Sequence, residues 1–207
     1  MSNALSFFKE FIKHPTKVGA IAPSSAELAQ EMMLQAHISQ SQNVAEFGAG
    51  TGVFTKEILR ILPLSGKFIA IEQNPAMVAL LHQNLKQSAK DCAPELRERM
   101  IHPPIYCDTV ENLPKLMEKN GVLQLDSIVS GLPWATFDED LQNRLLGVAI
   151  DSLKSGGYFV TFAYLQGLMV PAGQRFAHKI KAQFSSVNKS RIVWGNLPPA
   201  FVYCCQK

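Results

Sequence analysis

Val44-Ala45-Glu46-Phe47-Gly48-Ala49-Gly50-Thr51-Gly52 is the stretch on which the reading of this chain turns. Asn43 to Phe47 reads as a short strand, Gly48 to Gly52 as a glycine-rich turn, and Gly52 to Leu62 as a helix stopped by Pro63. Such a turn lets backbone approach a ligand, and the helix that follows offers unpaired N–H groups at its start. Dinucleotide-binding chains use a similar turn, but the third glycine of their G-x-G-x-x-G pattern would fall on Val53. Here an acid, Glu46, stands two residues before the first glycine instead.

Outward from this turn the elements alternate. Lys67 to Glu72 is a buried strand, and Pro75 opens a helix to about Lys90. Met100 to Cys107 carries a weak strand, Val110 to Asn120 a helix closed by Gly121, Leu125 to Ser130 a strand and Phe137 to Leu153 a helix. Tyr158 to Tyr164 is a strand after a Gly156-Gly157 turn, and Arg175 to Phe184 a helix. Two closing strands, Ser190 to Trp194 and Ala200 to Cys205, flank Asn196-Leu197-Pro198-Pro199. Before the first strand, Leu5 to Lys13 reads as an amphipathic helix. Ser24-Ser25-Ala26-Glu27 is a capping box, with Ser24 as N-cap, for a helix to about Gln35. Alternation with apolar strands predicts an α/β fold: a Rossmann-like, doubly wound, mostly parallel seven-stranded sheet ending in an antiparallel hairpin. The expected organisation is one domain over 1–207, with an N-terminal helical lid or membrane segment at 1–40 and a catalytic core at 41–207.

The pattern E-x-G-x-G-x-G resembles motif I of class I methyltransferases that use S-adenosyl-L-methionine. The resemblance implies that the turn holds the amino-acid end of that cofactor, with Glu46 orienting its ammonium directly or through water. Two further acids end the next two strands, Glu72 after Phe68-Ile69-Ala70-Ile71 and Asp108 after Tyr106-Cys107. A carboxylate accepts two hydrogen bonds, which suits two ribose hydroxyls at Glu72; Asp108 resembles the family's contact to the adenine amino group. Singly, Glu72 reads equally as a surface acid and Asp108 as a helix cap. The implied cofactor contacts are Glu46, Phe47, Gly48, Ala49, Gly50, Thr51, Gly52, Glu72, Gln73, Asp108, Thr109, Ser130 and Gly131.

The fourth strand runs into Ser130-Gly131-Leu132-Pro133-Trp134, at the strand end where open α/β sheets bind ligands. This segment resembles the Asn-Leu-Pro-Tyr of ribosomal RNA adenine dimethylases at Leu132, Pro133 and Trp134, but Gly131 replaces the Asn. That Asn would accept a hydrogen from the weakly nucleophilic adenine amine. An aliphatic amine has a localised lone pair and needs mainly deprotonation and alignment. Gly131 is expected to leave room for a bulkier acceptor.

Ser-Gly-Leu-Pro more closely resembles bacterial phospholipid N-methyltransferases, which convert phosphatidylethanolamine stepwise to phosphatidylcholine. Phe7-Phe8-Lys9 through Lys17 to Ser25 is similar to that family's N-terminal segment, and Asn196 to Tyr203 to its C-terminal hairpin, so the resemblance covers nearly the whole chain. The acceptor side is assigned to Leu132, Pro133, Trp134 and Tyr164. Trp134 has two readings, a core aromatic under the loop or a cation–π wall for the methylated ammonium, and Tyr164 is a second candidate wall. His14, Tyr106, Tyr164 and Asp138 are candidate bases; water or a backbone carbonyl would also serve. Asn196-Leu197-Pro198-Pro199 mimics an amino-methyltransferase motif but lies in the terminal hairpin, where a rigid turn is the better reading.

Charge and composition narrow the partners. Of 20 Lys and Arg, seven lie after Asp151 (Lys154, Arg175, Lys179, Lys181, Lys189, Arg191 and Lys207), and none of the 17 acids does. An acid-free quarter suits an anionic partner, or is simply a solvated helix face. With the amphipathic, three-Phe segment over residues 4–17 it predicts contact with a phospholipid headgroup or anionic membrane surface. A nucleic acid, in an rRNA adenine methyltransferase, is the alternative; a non-catalytic relative is a third reading that the three acids oppose. No stretch approaches the roughly 18 uncharged apolar residues of a membrane span, and Lys9 and Glu10 interrupt any signal-peptide core. The expected location is cytoplasmic, peripheral on the inner membrane face. The four cysteines show neither metal-ligand nor disulfide spacing, so no metal is expected.

Overall fold

In the computed structural model, residues 26–207 are described. The expected Leu5–Lys13 helix and the Ser24 cap lie outside them. Among the described residues seven α-helices cover the sheet: α1 (Ala26–Gln35), α2 (Val53–Ile61), α3 (Pro75–Ser88), α4 (Pro94–Ile101), α5 (Leu113–Lys119), α6 (Glu139–Ser152) and α7 (Pro171–Gln183). The strands are β1 (Asn43–Phe47), β2 (Lys67–Ile71), β3 (Ile105–Tyr106), β4 (Leu125–Ser130), β5 (Leu153–Tyr164), β6 (Ser186–Lys189) and β7 (Ala200–Gln206). They form one sheet in the order β3-β2-β1-β4-β5-β7-β6. The first five pair in parallel, while β7 is antiparallel to β5 and β6. This is the doubly wound, mostly parallel, seven-stranded fold with a closing hairpin.

Period-two side-chain alternation divides the apolar residues between the two faces. Val44, Phe68, Val129, Val160 and Val202 pack on one side with Leu28 and Met32 of α1 and Ile58 of α2. Ala45, Phe47, Ile69, Ile128 and Phe159 pack on the other with Leu146 of α6 and Phe176 of α7. Glu46 shares a strand face with Val44, so the acid of the glycine turn is forced inward, against α2.

Local boundaries differ where the sequence signal was weak. Met100 belongs to α4, opened by Pro94, and β3 shrinks to Ile105–Tyr106. The strand expected over Ser190–Trp194 lies earlier, at Ser186–Lys189; residues 190–199 are a loop touching the sheet through a Val193–Ala200 bridge. β5 begins at Leu153, with a register shift against β4 between Leu125 and Ser127. No helix among the described residues is long and apolar enough to cross a membrane.

Candidate functional site

β1 sits between β2 and β4, and the chain winds outward from it in both directions. The crevice at the carboxyl ends of β1 and β4 is therefore the switch point where such sheets take ligands. The turns after β1, β2, β3 and β4 converge there. Gly48 and Ala49 N–H donate to Ile71 O at 2.9 and 3.2 Å, and Gly131 N–H to Phe47 O at 2.8 Å. These bonds tie the glycine turn to its neighbours on both sides.

Gly50 has φ +54, which L side chains rarely adopt, and a Cβ there would meet nothing within 4 Å. The turn thus presents bare backbone to open space beside its N–H groups. Gly50 N–H donates to Glu72 Oε2 at 2.9 Å, and Asn74 N–H donates to Glu72 Oε1 at 2.9 Å. Each Glu72 oxygen has used one acceptor site and retains one. The half-buried carboxylate thus braces the turn and still has two acceptor positions to offer a pair of hydroxyls. Gln73 beside it is exposed.

Glu46 is completely buried. Its Oε2 accepts from Thr55 Oγ1 at 2.7 Å, while Oε1 is buried without a partner. Burial, with Glu72 as a nearby like charge, outweighs the Thr55 hydrogen bond and raises the carboxyl pKa to about 8. A buried acid with an orphaned oxygen under a glycine turn is suited to a ligand cation.

Asp108 ends the third strand. Its Oδ1 accepts from Thr109 N–H at 2.7 Å and from Asn112 Nδ2 at 2.8 Å. The Asn112 bond first, then the Thr109 bond, holds its pKa below the usual carboxylate range. Thr109 caps the turn at Val110–Asn112. Asp108 therefore does act as a local cap, through one oxygen; Oδ2 makes no hydrogen bond among the described residues.

The loop after β4 corrects two expectations. Trp134 is not a wall of the mouth: it is 3% exposed, stacked on Phe176 at 4.8 Å, with Nε1 donating to Ser130 Oγ at 3.0 Å. Gly131 does not leave room for the acceptor, because a Cβ there would lie 2.7 Å from Gly48 O. The position is glycine because two loops cross at it, and in this backbone an Asn there would displace the glycine turn. Leu132 and Pro133 are half-buried and remain at the crevice. Tyr164 ends β5 half-buried, edge-on to Phe162 at 5.5 Å. Burial pushes its phenol above the usual value, so at neutral pH it keeps its proton. Of the other candidate bases, Asp138 caps α6 through Leu141 N–H and Tyr106 accepts from Asn120 Nδ2 at 2.8 Å; His14 lies outside the described residues.

Three residues of the site had no sequence signal. Thr55 meets Glu46 across the β1–α2 turn. Asn112 reaches back four residues to Asp108. Gln142, fully buried on α6, donates through Nε2 to Trp134 O at 2.8 Å and Ala172 O at 3.0 Å. It links the loop after β4 to the start of α7. Among the described residues no group of three or more His, Cys, Asp or Glu could hold a metal ion.

Three of the seven cations of the acid-free quarter meet acids from elsewhere in the chain. Lys154 pairs with Asp126, Lys179 with Glu139, and Arg191 with Glu27 and Glu31. Lys207 donates to the carbonyls of Ile150 and Leu153, and Lys189 lies over Phe201 and Tyr203. Arg175 and Lys181 form no ion pair among the described residues. They border an open groove along α7 with Gln174 and His178, which none of the candidate site residues lines.

No family model matches the chain. The chain is 28% identical over 206 residues to an ornithine lipid N-methyltransferase from Singulisphaera acidiphila, covering all of this chain and 97% of that protein. It superposes on an O-methyltransferase from Bacillus cereus in complex with SAH, TM-score 0.70 at 15% identity, covering 98% of this chain and 91% of that one. It also superposes on the O-methyltransferase TomG from Streptomyces achromogenes, involved in tomaymycin synthesis and in complex with SAM. The TM-score is 0.68 at 16% identity, covering 100% and 91%. With its acids and glycine turn gathered at the carboxyl ends of β1 to β3, the chain has the class I S-adenosyl-L-methionine-dependent methyltransferase fold.

Proposed function

We propose that this chain is an S-adenosyl-L-methionine-dependent N-methyltransferase acting on the primary amine of a membrane-lipid headgroup, with phosphatidylethanolamine as the acceptor of our reading. The observation that carries the lipid acceptor is the end-to-end similarity to an ornithine lipid N-methyltransferase. Both lipids present an aliphatic amine, and that shared chemistry is what the reading commits to.

The residues present fit the cofactor. Glu46 has an unpartnered buried oxygen for an ammonium, Glu72 two acceptor positions for a ribose, and Asp108 a remaining oxygen for an amino group. When bound, S-adenosyl-L-methionine supplies an electrophilic methyl group on a sulfonium. The chain's own part is to align and desolvate the amine. Leu132 and Pro133 give the mouth an apolar wall that excludes water from the amine lone pair, and the Gly131–Phe47 and Gln142–Trp134 bonds hold that wall still. Such positioning accounts for much of the acceleration open to a reaction between two bound partners. The Tyr164 phenol oxygen accepts a hydrogen bond from an amine N–H, which orients the nitrogen and leaves its lone pair free; the headgroup ammonium gives up its proton to water before it enters the apolar mouth.

Gly131 favours this reading over adenine methylation. The carbonyl of Gly48 occupies the place where an Asn side chain would begin, so the acceptor group that an adenine amine needs has no room to stand. The test is to incubate purified protein with methyl-labelled cofactor and, separately, phosphatidylethanolamine vesicles, ornithine-lipid vesicles or ribosomal RNA. Label in either amine lipid is expected; label in RNA alone would overturn the reading.

A further inference from the structure

Three large apolar side chains stand in water around one edge of the sheet: Met169 is 82% exposed, Leu197 70% and Trp194 67%. The topology brings their loops together. Tyr164, the end of β5, pairs with Ala200, the start of β7. Leu165 N–H donates to Pro199 O at 3.1 Å, and Val193 bridges Ala200. Loops 165–170 and 190–199 are therefore neighbours on the carboxyl edge, where the candidate site opens. Exposed Leu64 and Leu123 precede β2 and β4, on the opposite edge, and stand singly in turns, as exposed apolar residues ordinarily do.

We infer that loops 165–170 and 190–199 form a wedge that enters the headgroup layer of a lipid bilayer, with Trp194, Leu197 and Met169 as its inserted side chains. The choice of a bilayer as partner rests on the lipid-amine reading above. A lipid amine stays at the headgroup level, so the edge bearing the site has to come to that level. The composition suits the place. Indole sits well at the interface because its ring is apolar and its N–H wants a polar partner; Leu and Met go deeper. Charge agrees. Neither loop contains a carboxylate of its own, although Glu27 Oε2 lies 3.1 Å from where a Cβ of Gly195 would stand; Lys189 precedes the second loop, Arg191 lies in it, and Arg175 lies in the second turn of α7 after the first. Arg191 balances one of its two partners, Glu27 and Glu31, and Arg175 has no ion-pair partner among the described residues. Because Lys154, Lys179 and Arg191 are paired with acids, apolar insertion leads the binding and added salt should weaken it little.

The chain has two tryptophans, one buried at position 134 and one exposed at 194, so Trp194 reports its own insertion. Full-length protein is mixed with phosphatidylethanolamine–phosphatidylcholine vesicles carrying brominated acyl chains. A blue shift and quenching of emission are expected, both lost in Trp194→Phe, which keeps Trp134. The double variant Met169→Ser, Leu197→Ser should lose vesicle binding by roughly tenfold or more, and methylate a monomeric short-chain lipid amine as the parent does. The inference is overturned if Trp194 emission ignores vesicles, if Trp194→Phe is quenched equally, or if the double variant binds undiminished. Emission already shifted, and shielded from aqueous iodide before vesicles are added, would also overturn it. The two readings separate cleanly. Quenching without methylation of any lipid amine supports the wedge and rejects the lipid-amine function. Methylation of the short-chain amine without quenching supports the function and rejects the wedge.

Discussion

Replacing Glu46 by Gln should flatten the pH dependence of folding stability. Glu46 is fully buried with one unpartnered oxygen, and its pKa is raised from 4.5 to about 8, chiefly by burial. Below pH 4.5 the folded and unfolded chains both carry this proton, and the group costs nothing. Between 4.5 and about 8 the unfolded chain releases the proton and the folded chain keeps it. Stability therefore falls as pH rises through that window, by about 1.4 kcal/mol per unit, and levels off above it. The total is on the order of 5 kcal/mol, a large part of a domain's typical 5–15. A Gln amide never ionises, so the variant lacks this slope; its amide N–H groups lack partners at every pH, a constant offset of about 1–3 kcal/mol. Urea unfolding of both proteins at pH 5, 6, 7 and 8 isolates the slope from the offset. Parallel stability curves would refute the buried, protonated carboxyl. The same group ties pH to cofactor binding. A ligand ammonium at Oε1 favours the carboxylate, so binding at pH 7 should release up to one proton, read by calorimetry in buffers of different ionisation heat. Glu46→Gln should release none.

Trp134→Ala should cost about 3–5 kcal/mol of stability by denaturant unfolding, the scale for truncating a buried aromatic, and reduce every methylation step alike; selective loss of the later steps would place the ring at the acceptor. Gly131→Ala pushes a methyl to 2.7 Å from Gly48 O, and should cost about 1–3 kcal/mol of stability. Glu72→Ala frees the N–H groups of Gly50 and Asn74 and should weaken cofactor binding by about 1–3 kcal/mol; unchanged calorimetric affinity would remove Glu72 from the site. Gln142→Leu should raise the KM for the acceptor and leave cofactor affinity unchanged, because it releases the loop after β4 and not the turn after β1.

The sequence by itself determined the scaffold and the order of the acids upon it. Apolar strands alternating with helices can hide their backbone only in a covered, mostly parallel sheet, so β1, β2, β4 and the close of β7 were legible. The glycine turn, Glu72 and Asp108 follow from strand ends alone, because a doubly wound sheet carries every parallel strand's carboxyl end to the same edge. Tertiary structure decided what no local pattern holds. Trp134 is four residues from Ser130, but it is Phe159 and Phe176, from later elements, that close over it and make it core. Gly131 looks permissive as a residue type and is crowded because another loop crosses it. The basic final quarter is acid-free only along the chain; Asp126, Glu139, Glu27 and Glu31 reach it from elsewhere and pair with three of its seven cations. Pro94–Ile101 and the position of β6 were missed where weak local propensity gave way to packing against neighbours distant in sequence. Charge pairing and burial are properties of separation in space, and only the fold sets that separation.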